Sequence, residues 1–254
     1  MGILSRKSKS EVEQIRVEDA IIASEEFQKS SMAAKLNWLR AGVLGANDGI
    51  VSTAGLVMGV AGANPDNTSA IFIAGVAGLV AGSISMAGGE YTSVSAQRDS
   101  EIASLEKERQ ELIDDPAKEL RELIWFYEQK GMSPSLAKKV AVELTERDAL
   151  KAHAEAELGI DSDHHVSPGQ AALSSFVAFA AGGLLPLFAA MGDANLRIYL
   201  VIASVVAALT LTGYVGAKIG GAKPGRGIVR NLVVSLLTMG VTYVIGYLFG
   251  TQIA

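Results

Sequence analysis

The chain has 254 residues, 49% of them hydrophobic and only 19% charged, with 27 glycines and no cysteine. That balance argues against a soluble enzyme, and the missing cysteines exclude a disulfide-stapled domain and a thiolate metal centre. The net charge of −5 hides a segregation: residues 98–165 carry 10 Lys and Arg against 17 Asp and Glu, whereas 218–230 carry Lys218, Lys223, Arg226 and Arg230 and no acid.

Residues 1–39 read as a polar segment, with Val12, Ile15, Ile22, Phe27 and Met32 scattered among acids. A surface-lying amphipathic helix and a disordered tail fit equally well. No cleavable leader is expected, because residues 1–40 lack a continuous apolar core. Residues 40–90 hold two spans. The first, 41–63, is apolar apart from Asn47 and Asp48, and about 20 such residues suffice to cross the hydrocarbon. A carboxylate inside a span costs about 2.5–3.5 kcal/mol on insertion scales, so Asp48 is read as functional, with a hydrogen-bonding role inside the bundle as the plainer alternative. Gly45 and Gly49, then Gly55 and Gly59, repeat the spacing that allows close helix contact. Residues 64–69 form a turn, and 67–89 form the second span. With no proline between Pro65 and Pro116, that helix is expected to continue beyond the membrane as far as Leu112.

Met86 and Glu90 lie on one face of this helix, four residues apart. A thioether beside a carboxylate suits a transition-metal cation; a methionine filling a packing gap and a glutamate at the headgroup level are the alternative. Residues 91–165 are expected to be an acidic all-helical insert. Asp114-Asp115-Pro116 breaks the long helix, a second helix covers 116–130, and Ser133-Pro134 opens a third that runs towards Gly159 with an interruption near Thr145. Glu108 and Glu111, and Glu119 and Glu122, are spaced three apart on either side of that break, and Glu157 follows His153 by one turn. Carboxylates on facing helices bind divalent iron or manganese. The competing reading is a solvated face whose glutamates pair with Lys107, Arg109, Lys118 and Arg121. His164 and His165 read as linker. Residues 170–254 hold three more spans: 171–192, with a kink expected from Gly182, Gly183 and Pro186, then 198–217 and 231–254. The basic 218–230 loop, the insert and the N-terminal segment are expected on the cytoplasmic side, and the C-terminus outside. That loop is a topology signal, and no nucleic acid is expected as a partner.

The expected fold is thus an all-α membrane protein of five transmembrane helices with an acidic helical cytoplasmic domain between the second and third. Asn47-Asp48-Gly49-Ile50-Val51-Ser52, Ser85-Met86-Ala87-Gly88-Gly89-Glu90-Tyr91 with the following Gln97-Arg98-Asp99, and the Glu pairs of the insert together resemble the vacuolar iron transporters, over roughly residues 36–254. The resemblance implies a homodimer with the ion path between subunits, exporting Fe²⁺ from the cytoplasm in exchange for protons. By it, Asp48 and Met86 match the membrane metal ligands, and Glu108, Glu111, Glu119, Glu122 and Glu157 match the carboxylates of a cytoplasmic metal-binding domain. Two residues depart from the plant pattern. His153 and Ala154 stand where plant members have paired methionines. Gly78 stands where they have a glutamate two turns before the pore methionine, leaving Glu90 as the candidate to supply that carboxylate. The resemblance implies a multi-pass protein of the inner membrane if bacterial, or of the vacuolar membrane if eukaryotic. It implies no prosthetic group and no enzymatic activity, with Fe²⁺ or Mn²⁺ as the transported ion. A membrane-bound ferroxidase, which would want Glu-x-x-His pairs the insert lacks, and a metal sensor without transport are the alternatives.

Overall fold

The computed structural model describes residues 39–160, 167–221 and 223–253. The expectations for residues 1–38 and for His164 and His165 lie outside them. Every regular element among the described residues is helical: α1 (Leu39–Ala63), α2 (Thr68–Asp114), α3 (Pro116–Gln129), α4 (Pro134–His153), a short π-helical segment (Ala154–Leu158), α5 (Pro168–Ala189), α6 (Arg197–Ile219) and α7 (Pro224–Ile253). Five of them, α1, α2, α5, α6 and α7, are long and apolar enough to cross a membrane. The chain divides into two compact units, Tyr91–Pro168 and the remainder.

In the five-helix unit, Asn67 caps α2 by accepting the Ala70 N–H at 2.9 Å. Ile50, Val57, Ile71, Leu79, Leu187, Val201, Leu209 and Met239 interlock in the core. Glycines set how closely α1 meets its neighbours. A Cβ on Gly49 would strike the Phe179 backbone, and one on Gly182 the Ala46 backbone, so α1 and α5 touch main chain to main chain. The apolar stretches of α1 and α5 are each 44% buried, against 22% for α2 and 11% for α7, so among the described residues α1 and α5 are the most enclosed and α2 and α7 stay largely exposed. Gly78 and Gly82 accommodate Leu56 and the Phe179 ring of the same chain.

Two boundaries differ from expectation. α5 runs through Pro186 and ends at Ala189, short of the expected 192. α7 begins at Pro224, because proline suits a first helical position. Arg226 and Arg230 therefore belong to a helix rather than to a loop. Arg197 is buried, at 2% exposed. It donates through Nε to the Ala190 carbonyl at 2.8 Å, through Nη2 to Thr68 Oγ1 at 2.6 Å, and through Nη1 to the Pro65 carbonyl. It thereby ties the α1–α2 turn to the α5–α6 turn, a structural role beyond a topology charge.

In the 91–168 unit, Asp115 caps α3 by accepting the Lys118 N–H at 2.9 Å, and Gly131 ends the turn after it with φ +95°. α4 is interrupted at Asp148 (φ −165°, ψ 96°) rather than near Thr145. The Asp148 carboxylate accepts the Lys151 N–H at 3.0 Å and so restarts the helix as an internal N-cap. The π segment follows and ends at Gly159, φ +64°. A small core of Leu123, Ala141 and Ala152 holds α3 against α4.

Candidate metal centres

The 91–168 unit brings Glu108 of α2, Glu119 of α3 and His153 of α4 together, with one potential ligand atom from each within 4.8 Å of the others. All three are buried, at 3%, 2% and 0% exposed. His153 Nδ1 lies 2.9 Å from Glu108 Oε1 and 3.7 Å from Glu157 Oε2. Glu108 Oε1, both His153 nitrogens and Glu157 Oε2 nevertheless make no aligned hydrogen bond. Buried polar atoms normally have partners. A group that converges without pairing fits a cation held by carboxylate oxygens and an imidazole nitrogen.

The electrostatics agree. Burial, then the charges of Glu157, Glu119, Glu111 and Glu122 in that order, push the Glu108 carboxyl up to about 7. Burial and then the Glu122 charge raise Glu157 as well, with His153 pulling it back. Five carboxylates therefore crowd one neighbourhood, which strains the empty site and favours a divalent cation.

The members of each Glu pair differ in burial, and lysines reach both kinds. The inner Glu108 and Glu119 are buried in the cluster. The outer Glu111 and Glu122 are half-buried and meet lysines: Lys107 Nζ lies 3.1 Å from Glu111, and Lys118 Nζ lies 2.8 Å from Glu119 and 3.6 Å from Glu122. Arg109 pairs with Glu106 instead, at 3.2 Å. Glu157 sits in the π segment, a form concentrated at functional sites. Nothing in the spacing announced that segment. Lys118, which joins two of the glutamates, was legible as the i, i+4 partner of Glu122.

The five-helix unit holds the second arrangement. An open cleft of about 550 Å³ is lined by Asp48, Ser52 and Thr53 of α1, by Ser85, Met86 and Glu90 of α2, and by Phe179 of α5. Asp48, Met86 and Glu90, singled out separately in the sequence, thus share one cavity. Asp48 is exposed to it, while Met86 and Glu90 are half-buried. Met86 also packs against the core, so the packing reading and the ligand reading are compatible. Gly78 and Gly82 lie on its wall, and side chains there would meet Leu56 and Phe179. Asn47 does not reach the cleft; its Oδ1 accepts from Thr212 Oγ1 of α6. The cleft hydroxyls of Ser52, Thr53 and Ser85 went unnoticed in the sequence, although each is within five residues of Asp48 or Met86.

The profile of the VIT family matches residues 39–247. A protein of Acanthamoeba castellanii named vacuolar iron transporter is 42% identical over 229 residues, covering 89% of this chain and 84% of its own. Vacuolar iron transporter homolog 5 of Oryza sativa subsp. japonica is 36% identical over 247 residues, 96% of this chain and 95% of its own. Vacuolar iron transporter homolog 2 of Arabidopsis thaliana is 36% identical over 215 residues, 84% of this chain and 85% of its own. The match spans all five apolar helices together with the helices between the second and third, and on that extent the chain belongs to the VIT family.

Proposed function

We propose that this protein carries Fe²⁺ out of the cytoplasm in exchange for protons, through the cleft lined by Asp48, Met86 and Glu90. The observation that carries the proposal is the cleft itself: two carboxylates and a thioether lining one cavity among helices otherwise nearly free of charge. Family membership and the names of the relatives support iron as the ion. Carboxylates serve Mn²⁺ equally well, so Mn²⁺ is a second cargo of the same site.

The mechanism follows from the donors. A carboxylate oxygen can hold a proton or a cation but not both, so a cation that binds displaces the proton. Asp48 is placed to make that exchange, so each metal ion entering releases protons and each ion leaving readmits them. Met86 supplies a softer donor that favours a transition metal over Mg²⁺ or Ca²⁺. Glu90 offers a second negative charge in the same cavity. The Glu108–Glu119–His153 centre, with Glu111, Glu122 and Glu157 around it, collects cytoplasmic metal. The low burial of the α2 span among the described residues supports a homodimer joined through that helix. The N-terminal segment and the 91–168 unit are cytoplasmic and the C-terminus lies outside, as the basic residues of 218–230 indicate.

A ferroxidase acting at the buried Glu108–Glu119–His153 cluster is the second reading, favoured by that set alone. Reconstituted protein exposed to Fe²⁺ separates the two. A transporter accumulates Fe²⁺ in vesicles without oxygen and moves protons the opposite way. An enzyme consumes oxygen, forms Fe³⁺ and accumulates nothing; that result would overturn the transport proposal.

A further inference from the structure

The cleft occupies one half of the helices that form it. Its lining runs from Asp48 to Leu56 on α1 and from Gly78 to Glu90 on α2, with Phe179 of α5. Towards the α1–α2 turn the same three helices close up. Val57, Ile71, Leu187 and Ala190 are buried there. A Cβ on Gly75 of α2 would lie 2.5 Å from Leu187 Cδ1 and 3.0 Å from Val57 Cγ1. α1, α2 and α5 therefore stand apart at the Asp48 end and are in contact at the other.

Arg197 sits at the closed end. It donates to the Pro65 carbonyl in the α1–α2 turn, to Thr68 Oγ1 in the first turn of α2, and to the Ala190 carbonyl just beyond the end of α5. It thus joins, at one end, the three helices that part at the other to make the cleft. The planar guanidinium fork can serve three separated acceptors at once, which a compact ammonium cannot. All three acceptors are neutral, and no carboxylate pairs with Arg197 among the described residues. Separating a buried charge pair leaves a second charge stranded, at a cost of about 3–5 kcal/mol. Carbonyls and a hydroxyl leave no such charge behind, so this tie holds firmly and still can be released.

We propose that Arg197 is the latch on the far end of the cation path. In place, it holds α1, α2 and α5 together beyond Leu56 and leaves the cleft open at the Asp48 end; released, it lets the far end part. The inference rests on the cleft being that path. An ion that enters a cleft closed at its far end crosses the membrane only when that end opens. A carrier therefore needs a tie that is made in one state and broken in the other. Arg197 does not touch the ion and acts as a positioning residue through the helices it joins.

The chain has no cysteine, so one introduced thiol reports one position. The test places Val57→Cys, at the closed contact, or Ala208→Cys, buried on α6 away from the latch, in the full chain in lipid nanodiscs. The rate of reaction with a water-soluble maleimide is then read without oxygen. Arg197→Gln should speed labelling of Val57→Cys at least about 10-fold, the scale of lost hydrogen bonds to a charged group. Thr68→Val, which removes one acceptor and keeps the arginine, should speed it about threefold. Labelling of Ala208→Cys should stay within about twofold, because a latch moves one end of the unit and leaves the rest packed. Unchanged labelling of Val57→Cys in both variants overturns the inference. So does faster labelling of both positions in both variants, the mark of a fastening that only stabilises the fold. If Arg197→Gln does not fold, Thr68→Val decides alone. A third thiol, Ser52→Cys in the cleft, tests the path itself: Fe²⁺ should shield it from the reagent, and Asp48→Asn should abolish the shielding. Without shielding the cleft is not the path, and the latch falls with it. With shielding and unchanged Val57→Cys labelling, only the latch falls.

Discussion

Glu108 and His153 are 3% and 0% exposed, their facing atoms 2.9 Å apart without an aligned hydrogen bond. Asp48 is exposed to an open cleft whose other strong donors are one thioether and one half-buried carboxylate. The first arrangement concentrates charge and excludes water; the second spreads a few donors of mixed softness along a wall. A crowded, dry, anionic centre binds a divalent ion and holds it, because the alternative is a set of buried charges without a counter-ion. A wet and sparse one binds weakly enough to let the ion go, as a path must. Under the proposed function, the difference divides capture from passage by burial and ligand number.

The largest expected break in that contrast comes at the dry centre. Glu108→Gln should lower metal affinity there at least about 100-fold, since it removes a buried charge and a ligand together; titration of the oxygen-free full chain with Mn²⁺, followed by electron paramagnetic resonance, reads it. Transport at saturating Fe²⁺ should fall far less. An equal loss of both would show that the two centres are not separable.

The same residue makes the contrast depend on pH. The Glu108 carboxyl is raised from 4.5 to about 7, so the metal-free fold favours its protonated form. Its contribution to stability is full below pH 4.5 and is lost as the pH rises through about 7, an effect on the order of 2 kcal/mol. Protection of the α3 and α4 amides from hydrogen exchange, corrected for intrinsic rates, should fall over that window in metal-free protein. Metal should restore it most strongly at the alkaline end, because deprotonation readies the ligand. Glu108→Gln should flatten the metal-free profile.

Smaller effects sharpen the comparison. Met86→Leu keeps the packing and removes the sulfur. It should lower the preference for Fe²⁺ over Mg²⁺ about 5-fold in competition transport, with total rate less affected. Lys118→Met frees Glu119 and Glu122 from an exposed ammonium. Such pairs are worth little, so metal should bind the 91–168 centre only about threefold more tightly. Lys139→Met, the same charge change at a lysine with no carboxylate pairing shown, controls for charge alone.

Much of this was legible in the chain because membrane and capping rules act locally. Asp48 in an apolar run, Pro116 after two aspartates and Gly131 after α3 each announce their own structure. The Glu pairs were legible as residues but not as a geometry. Spacing puts Glu108 and Glu111 on one face, yet only the packing of α3 and α4 decides that Glu108 turns inward while Glu111 meets Lys107. Small-residue spacing likewise marks close approach without naming the partner: within the chain, Gly78 and Gly82 meet Leu56 and Phe179. The break in α4 was expected near Thr145 and lies at Asp148, whose carboxylate caps the helix anew; periodicity carries no trace of the π segment.

The most direct test of the central claim measures both functions of one variant. Asp48→Asn in the full chain keeps shape and polarity and removes the ability to exchange a proton for a cation. Fe²⁺ flux and proton flux in oxygen-free proteoliposomes, with metal binding to the same preparation, should give no coupled flux and unaltered binding at the Glu108–Glu119–His153 centre. Wild-type Fe²⁺ and proton fluxes from Asp48→Asn would contradict the account.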